Sequence, residues 1–371
     1  MEELKKASIL EYAKYFTYDF DKLPLNEVDM AVFAKLSYYH FYVFFENKEK
    51  KIKIKDTNDE NKIKELLKRI VYSSWDDEFY KAVLENDRFR NVSIINPIEI
   101  NDEANDEQFS AVTFKLPTGE IIVTFRGTDT TLYGWRENIN MATMSPIPSQ
   151  ANAKKYVETA AKLGKKLYIV GHSKGGNLAE YALAAVDEKI KKQVVNVYNF
   201  DGPYFYMDIQ NVDFNSIQYK VKKFVPTDSI VGLLFENFEN LIVINANDQG
   251  FNQHSLNKWI VDVDHVCFYR NNVNYLKYQL VIASLNEWFE TTNSTSRNEI
   301  LNFMYNLLLN DSFTDFRDIT SSSGAKTGLK EFLKLSMDER APIREGFLEF
   351  INIYRKNKKN SGDSQTFSKN S

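Results

Sequence analysis

The stretch from Leu167 to Gly176 constrains this chain more than any other. Leu167-Tyr168-Ile169-Val170 reads as a short buried strand, and Gly171-His172-Ser173-Lys174-Gly175-Gly176 follows it without a spacer. Asn177-Leu178-Ala179-Glu180-Tyr181-Ala182-Leu183-Ala184-Ala185 then has strong helix character. Glycines at 171 and 175 let neighbouring backbone pass close while Ser173 takes a strained conformation at the apex. Gly-x-Ser-x-Gly between a strand and a helix presents a hydroxyl at the carboxyl end of a sheet, above the positive end of the following helix. The competing reading is a glycine-rich turn with an idle serine. The right element on both sides weighs against it.

The rest of the chain supplies a sheet for such a turn. Strand signals begin near Val92; residues 110–116 alternate, Pro117-Thr118-Gly119-Glu120 turns, and 121–125 complete a hairpin. Beyond it, strand-like segments at 166–170, 194–200, 219–225 and 241–245 are separated by helical ones, including 156–163 and 177–186. Alternation of this kind predicts a mostly parallel central sheet flanked by helices, and the serine turn within it makes the α/β-hydrolase fold the expected class. Residues 1–90 read as helical, with Val28, Val32 and Leu36 on one stripe and a charged, exposed segment at 47–61. They are expected to cap the core at 91–275. A C-terminal helical region covers 276–358, with helices at 281–289, 297–309 and 329–354. The polar residues 359–371 lack periodicity and are expected to form a disordered tail.

Composition narrows the function classes. With 43% hydrophobic and 14% aromatic residues, 371 residues can bury a sizeable core. A formal net charge of -4 gives no general attraction to nucleic acid, which is not an expected partner. The lone Cys267 cannot form an internal disulfide. No apolar run approaches the ~18 residues of a membrane span, and nothing after Met1-Glu2-Glu3 reads as a secretory signal. The expectation is a cytoplasmic protein, with peripheral membrane contact left open. No His, Cys or Asp spacing suggests a metal site and no phosphate loop appears, so no cofactor is expected.

A serine nucleophile needs a base, an acid and preformed N–H donors for the oxyanion. Lys174 offers one backbone N–H by position. The loop Phe125-Arg126-Gly127-Thr128-Asp129, after the strand at 121–125, offers Thr128 as the second, its hydroxyl as an extra donor. Of the four histidines, His40 lies in the N-terminal segment and His172 adjoins the serine, whose sharp turn directs the His172 ring away. His254, on a loop after the strand at 241–245, and His265, in strand-like sequence, remain as bases, with His254 favoured. Asp228, just after the strand at 219–225, is favoured as the acid; Asp201, one strand earlier before Gly202-Pro203, is the competitor, with a turn-forming role as its alternative.

These blocks carry a resemblance. Phe125-Arg126-Gly127-Thr128, Gly171 through Gly176, and Asp228-Ser229-Ile230-Val231 resemble the order of blocks in class 3 lipases. Tyr198-Asn199-Phe200-Asp201-Gly202-Pro203, Gln253-His254, Trp259, Leu25 through Asp29 and Leu36-Ser37-Tyr38 look more like the Mbeg-like bacterial family of lipase-related α/β-hydrolases. The resemblance covers residues 5–275. It implies Ser173 as nucleophile, Asp228 as acid, His254 as base, and Thr128 with Lys174 at the oxyanion hole. Lys174 stands where class 3 lipases usually carry Leu, which is expected to put a cation beside the site and argues against a greasy triglyceride cleft. The expected activity is hydrolysis of an ester or thioester, on a small acyl ester or lipid-like substrate, through an acyl-enzyme on Ser173. The alternative is a non-catalytic interaction protein that retains the fold.

Overall fold

The computed structural model describes residues 7–45, 51–68, 73–144, 146–206, 212–271, 276–310, 313 and 321–367. Eight strands lie side by side in chain order: β1 (Lys51–Lys53), β2 (Ser93–Asp102), β3 (Glu107–Lys115), β4 (Ile121–Phe125), β5 (Leu167–His172), β6 (Val194–Phe200), β7 (Val221–Pro226) and β8 (Leu241–Ile244). Pairings from β1 to β4 are antiparallel, and those from β4 to β8 are parallel. The architecture is mixed α/β, with β5 inside the parallel half.

Helices α1 (Ile9–Tyr15), α2 (Glu27–Leu36), α3 (Glu60–Leu66) and α4 (Ser73–Glu85) precede β2; α5 (Leu132–Asn140), α6 (Pro148–Ala160), α7 (Lys174–Ala185) and α8 (Glu188–Gln193) lie between β4 and β6. A parallel sheet that grows one strand at a time in one direction, with right-handed crossovers, puts its crossover helices on a single face. Ile121, Val123, Phe125, Leu167 and Ile169 accordingly pack with Val157 of α6 and Leu178 and Ala182 of α7. The opposite pleat, with Ile122, Val170, Phe200, Phe224 and Ile244, would be bare. The N-terminal helices cover it through Tyr12, Val28, Val32, Phe33 and Phe79. Strand alternation thus builds two cores.

A buried ion pair fixes the N-terminal layer. Asp29 on α2 takes a bidentate grip from Arg88 Nε at 2.7 Å and Nη2 at 2.6 Å, and the Tyr12 hydroxyl donates to it at 3.0 Å. Arg88 Nη1 donates to the carbonyls of Tyr18 and Leu23, so the guanidinium also ties down the loop before α2. Asn26 and Asp29 form the capping box that starts α2.

Several elements differ from the sequence expectations. The charged segment at 47–61 contains the edge strand β1, and Ile54 and Thr57 just after it are fully buried. The C-terminal region holds α9 (Gln279–Thr291), α10 (Ser294–Leu308), α11 (Ser322–Lys334) and α12 (Met337–Phe367). The periodicity over 329–354 is therefore two helices. Ser336 divides them, its N–H and Oγ both donating to the Glu339 carboxylate at 2.7 Å as α12 begins. That last helix passes Lys359 and reaches Phe367, since a helix already nucleated by packing gains one bond per added residue; residues 368–371 of the expected tail lie outside the described residues. Through Trp288, Phe289, Leu301 and Ile353 the C-terminal helices share a small core with Ala142, just past α5. They dock on loops after β6 and β7: Tyr206 Oη donates to Phe289 O, and Phe235 N to Asn286 Oδ1. Among the described residues no helix is long and apolar enough to cross a membrane.

Candidate functional site

Ser173 sits at the junction of β5 and α7 with φ 57° and ψ -132°, a backbone conformation that a non-glycine residue keeps only where its surroundings impose it. Two contacts impose it. Ser173 N–H donates to the Phe200 carbonyl at the end of β6 (3.0 Å), and its own carbonyl accepts from Gly176 N–H (2.9 Å). The flanking glycines are required by space. A Cβ on Gly171 would stand 1.9 Å from the Gly175 carbonyl oxygen, and one on Gly175 2.2 Å from that of Phe125. Ser173 is half-buried, and among the described residues its Oγ makes no hydrogen bond.

The loop after β8 brings His254 to the same end of the sheet. His254 closes a short 3-10 turn, Gly250–His254, anchored by Gln253. The Gln253 side chain accepts from Asp228 N–H at 2.9 Å and donates to the Asp248 carbonyl at 2.8 Å, and its own carbonyl takes the Trp259 indole N–H at 2.8 Å. His254 Nδ1 meets Asp201 Oδ2 at 2.6 Å, and the Asp201 carboxylate is fully buried. Ser229 Oγ, on the loop after β7, donates to the other Asp201 oxygen at 2.5 Å.

The carboxylate on the imidazole is therefore that of Asp201, not Asp228, which corrects the expected pairing. β6 is the direct neighbour of β5, so its end lies beside the serine turn, whereas β7 is one strand further away. Asp201 leaves β6 with φ 53°, and Gly232 keeps its space open: a Cβ there would fall 2.2 Å from Asp201 Oδ1. Asp228 supports the histidine loop from below, accepting from Gly250 N–H at 2.7 Å and pairing with Lys277 at 3.0 Å. His265 lies in the turn between β9 (Val261–Asp262) and β10 (Cys267–Phe268), exposed and bonded to Asp262 at the end of β9. The Asp262 carboxylate raises its pKa.

The loop bearing Thr128 abuts the serine turn. A Cβ on Gly127 would stand 2.9 Å from Ser173 Cβ and 2.7 Å from the His172 carbonyl oxygen, so glycine is what permits the approach. Thr128 Oγ1 donates to Asn138 Oδ1 at 2.8 Å. Its hydroxyl is thus already committed, and the backbone N–H is what the loop can offer. Lys174, the first residue of α7, has an N–H with no acceptor inside its own helix. Its side chain departs from expectation. The ammonium is buried, 2.5 Å from Glu137 Oε2 and 2.6 Å from the Gln108 carbonyl. Its charge is cancelled beneath the turn and does not stand as a free cation beside the serine.

Sequence reasoning gave neither His172 nor Tyr38 a role at the site, although both stand in blocks it singled out. The His172 ring, buried under α2, has its Nδ1 2.7 Å from Tyr38 Oη and its Nε2 2.7 Å from the His254 carbonyl. A carbonyl only accepts, so Nε2 carries the hydrogen and Nδ1 accepts the tyrosine proton. Burial first, then the nearby His254 ring and Lys35, push the His172 pKa well below the usual imidazole range.

Beneath the site, Glu180 of α7 is buried, its carboxylate taking Asn199 Nδ2 at 2.6 Å, while Asn199 Oδ1 accepts from Gly202 N–H at 2.8 Å. Burial raises the Glu180 pKa from 4.5 to about 7. Below pH 4.5 the group is protonated in both folded and unfolded chains. From there to about pH 7 only the unfolded chain ionises, so stability falls as pH rises. Glu180→Gln is expected to flatten that fall, by up to about 3 kcal/mol, measured by urea unfolding across pH 4.5 to 7.5.

Fold and site together define a mixed α/β protein with a serine on a strained strand–helix turn and a carboxylate-bound imidazole at the same end of the sheet. A family model described as Mbeg1-like matches residues 83–306, more than half of the chain, and the chain belongs to that family. The matched span runs from α4 into α10 and takes in Ser173, Asp201 and His254. No curated protein is found to match the chain.

Proposed function

We propose that this protein is a serine hydrolase, related to lipases in its site plan, that cleaves an ester or thioester through an acyl-enzyme on Ser173. The observation that carries the reading is the 2.6 Å pairing of His254 Nδ1 with buried Asp201, which follows β6, the strand next to the one that leads into Ser173. With Nδ1–H donated to Asp201, His254 Nε2 keeps a lone pair for the Ser173 proton. The serine–histidine contact closes in the substrate complex, where catalytic hydrogen bonds tighten. Ser173 Oγ then bonds to the acyl carbon, the Lys174 and Thr128 amides hold the oxyanion, and the C–O or C–S bond breaks as His254 returns the proton to the leaving group. Water, deprotonated by His254, releases the acid and restores the hydroxyl. Small acyl or lipid-like esters are the favoured substrates, and a cytoplasmic location accords with the single cysteine.

A fluorophosphonate probe tests this. Folded wild type is expected to be labelled, Ser173→Ala not at all, and His254→Ala more slowly by about a thousandfold. An inert, folded wild type gives the ground to a non-catalytic interaction protein.

A further inference from the structure

We infer that His172 is a positioning residue for His254: its Nε2–H holds the His254 carbonyl, and the Tyr38 hydroxyl holds His172 in the one tautomer able to do so. The inference rests on the proposed roles of Ser173, His254 and Asp201.

Period-two alternation along β5 puts His172 on the same side as Val170, the face roofed by α2. Tyr38 lies two residues past the end of α2, so the N-terminal layer touches the site at this point. The three rings form a chain: Tyr38 and His172 centroids are 5.8 Å apart, and those of His172 and His254 4.6 Å. A base carried on a loop has to be fixed at more than one point to stay within reach of a hydroxyl. Asp201 fixes the His254 ring from the end of β6. His172 fixes the backbone of the same residue from the end of β5. One contact sets the ring's tautomer and the other its position.

The arrangement works only while His172 is neutral and protonated at Nε2. Protonation at Nδ1 would place a donor against the Tyr38 hydroxyl and a charge among the His254 ring, Lys35 and apolar walls. Burial and those two neighbours oppose it. Tyr38 Oη also lies against Gly127, where an added Cβ would stand 2.2 Å from it. Tyr38 thereby joins the loop that carries Thr128 to the residue beside the nucleophile.

The test uses the full chain, a fluorophosphonate probe and three variants. His172→Leu removes the donor and is expected to slow labelling 10- to 100-fold. His172→Gln places a donor at the position of Nε2 and an acceptor for Tyr38, and is expected to recover most of the wild-type rate. Tyr38→Phe frees the tautomer and is expected to give a smaller loss, about 3- to 10-fold. Rescue by Gln marks the hydrogen bond as the cause, since a packing role would favour Leu at this buried site. Labelling of His172→Leu at the wild-type rate, or of His172→Gln no faster than His172→Leu, overturns the inference. An inert wild type instead overturns the proposed chemistry. A readout independent of activity is histidine 15N NMR of the wild type, with the His172 signal assigned by its loss in His172→Gln. A neutral, Nε2-protonated His172 from pH 8 to 5.5 supports the inference, and an Nδ1-protonated ring or a titration near 6.5 overturns it.

Discussion

Asp201→Asn is expected to slow fluorophosphonate labelling by roughly 10³- to 10⁴-fold, whereas Asp228→Asn costs less than about tenfold. The contrast follows from which atoms each carboxylate meets. Asp201 receives His254 Nδ1 at 2.6 Å and Ser229 Oγ at 2.5 Å in full burial. An amide there can offer N–H where the ring needs an acceptor, so the ring turns to the tautomer that carries its hydrogen on Nε2 and loses its lone pair for the serine. Asp228 Oδ2 serves Gly250 N–H and the half-exposed Lys277. Asparagine retains an oxygen for the first and forfeits a solvent-screened ion pair with the second. The check is the second-order labelling rate of both variants, with urea unfolding to show that they remain folded. Equal losses, or a larger one at Asp228, would return the acid role to Asp228.

Lys174→Met is expected to destabilise the fold by about 3–5 kcal/mol, and Lys174→Met with Glu137→Gln to regain more than half of that. The ammonium and carboxylate are both essentially inaccessible, and the Glu137 carboxylate also accepts from the Gln108 and Ser149 backbone N–H groups. Removing the cation alone leaves a buried negative charge that α5 cannot turn toward water. An amide at 137 still accepts those N–H groups and carries no charge, so the pair tolerates joint replacement better than the single one. Urea unfolding of the two single variants and the double variant closes the cycle. A loss below 1 kcal/mol for Lys174→Met would show that Glu137 is relieved by protonation or by water.

Some of the site was legible in the sequence. Ser173 could be read because the whole device, strand, glycine, serine, glycine, helix, is contiguous, and each residue's steric duty falls on neighbours a few positions away or on the strand end at Phe125. His254 emerged by elimination among four histidines, and the structure brings it, not His265, to a buried carboxylate. Asp201 and Asp228 looked alike because each follows a strand-like run and precedes a turn. Only the adjacency of β6 to β5 separates them. The same limit hid the fate of Lys174: its partner Glu137 is 37 residues earlier, on a helix whose placement no local pattern specifies. Tyr38 and His172 are 134 residues apart.

The sequence by itself determined the succession of strands from β2 to β8 and the bend that presents Ser173, because those depend on periodicity and on backbone sterics between near neighbours. Only the tertiary structure decided which acid holds His254, where the Lys174 charge goes, and that a helical layer from the start of the chain reaches the nucleophile turn. Those outcomes depend on which strand lies beside which and on how burial pairs polar groups from distant segments, and no local pattern encodes either.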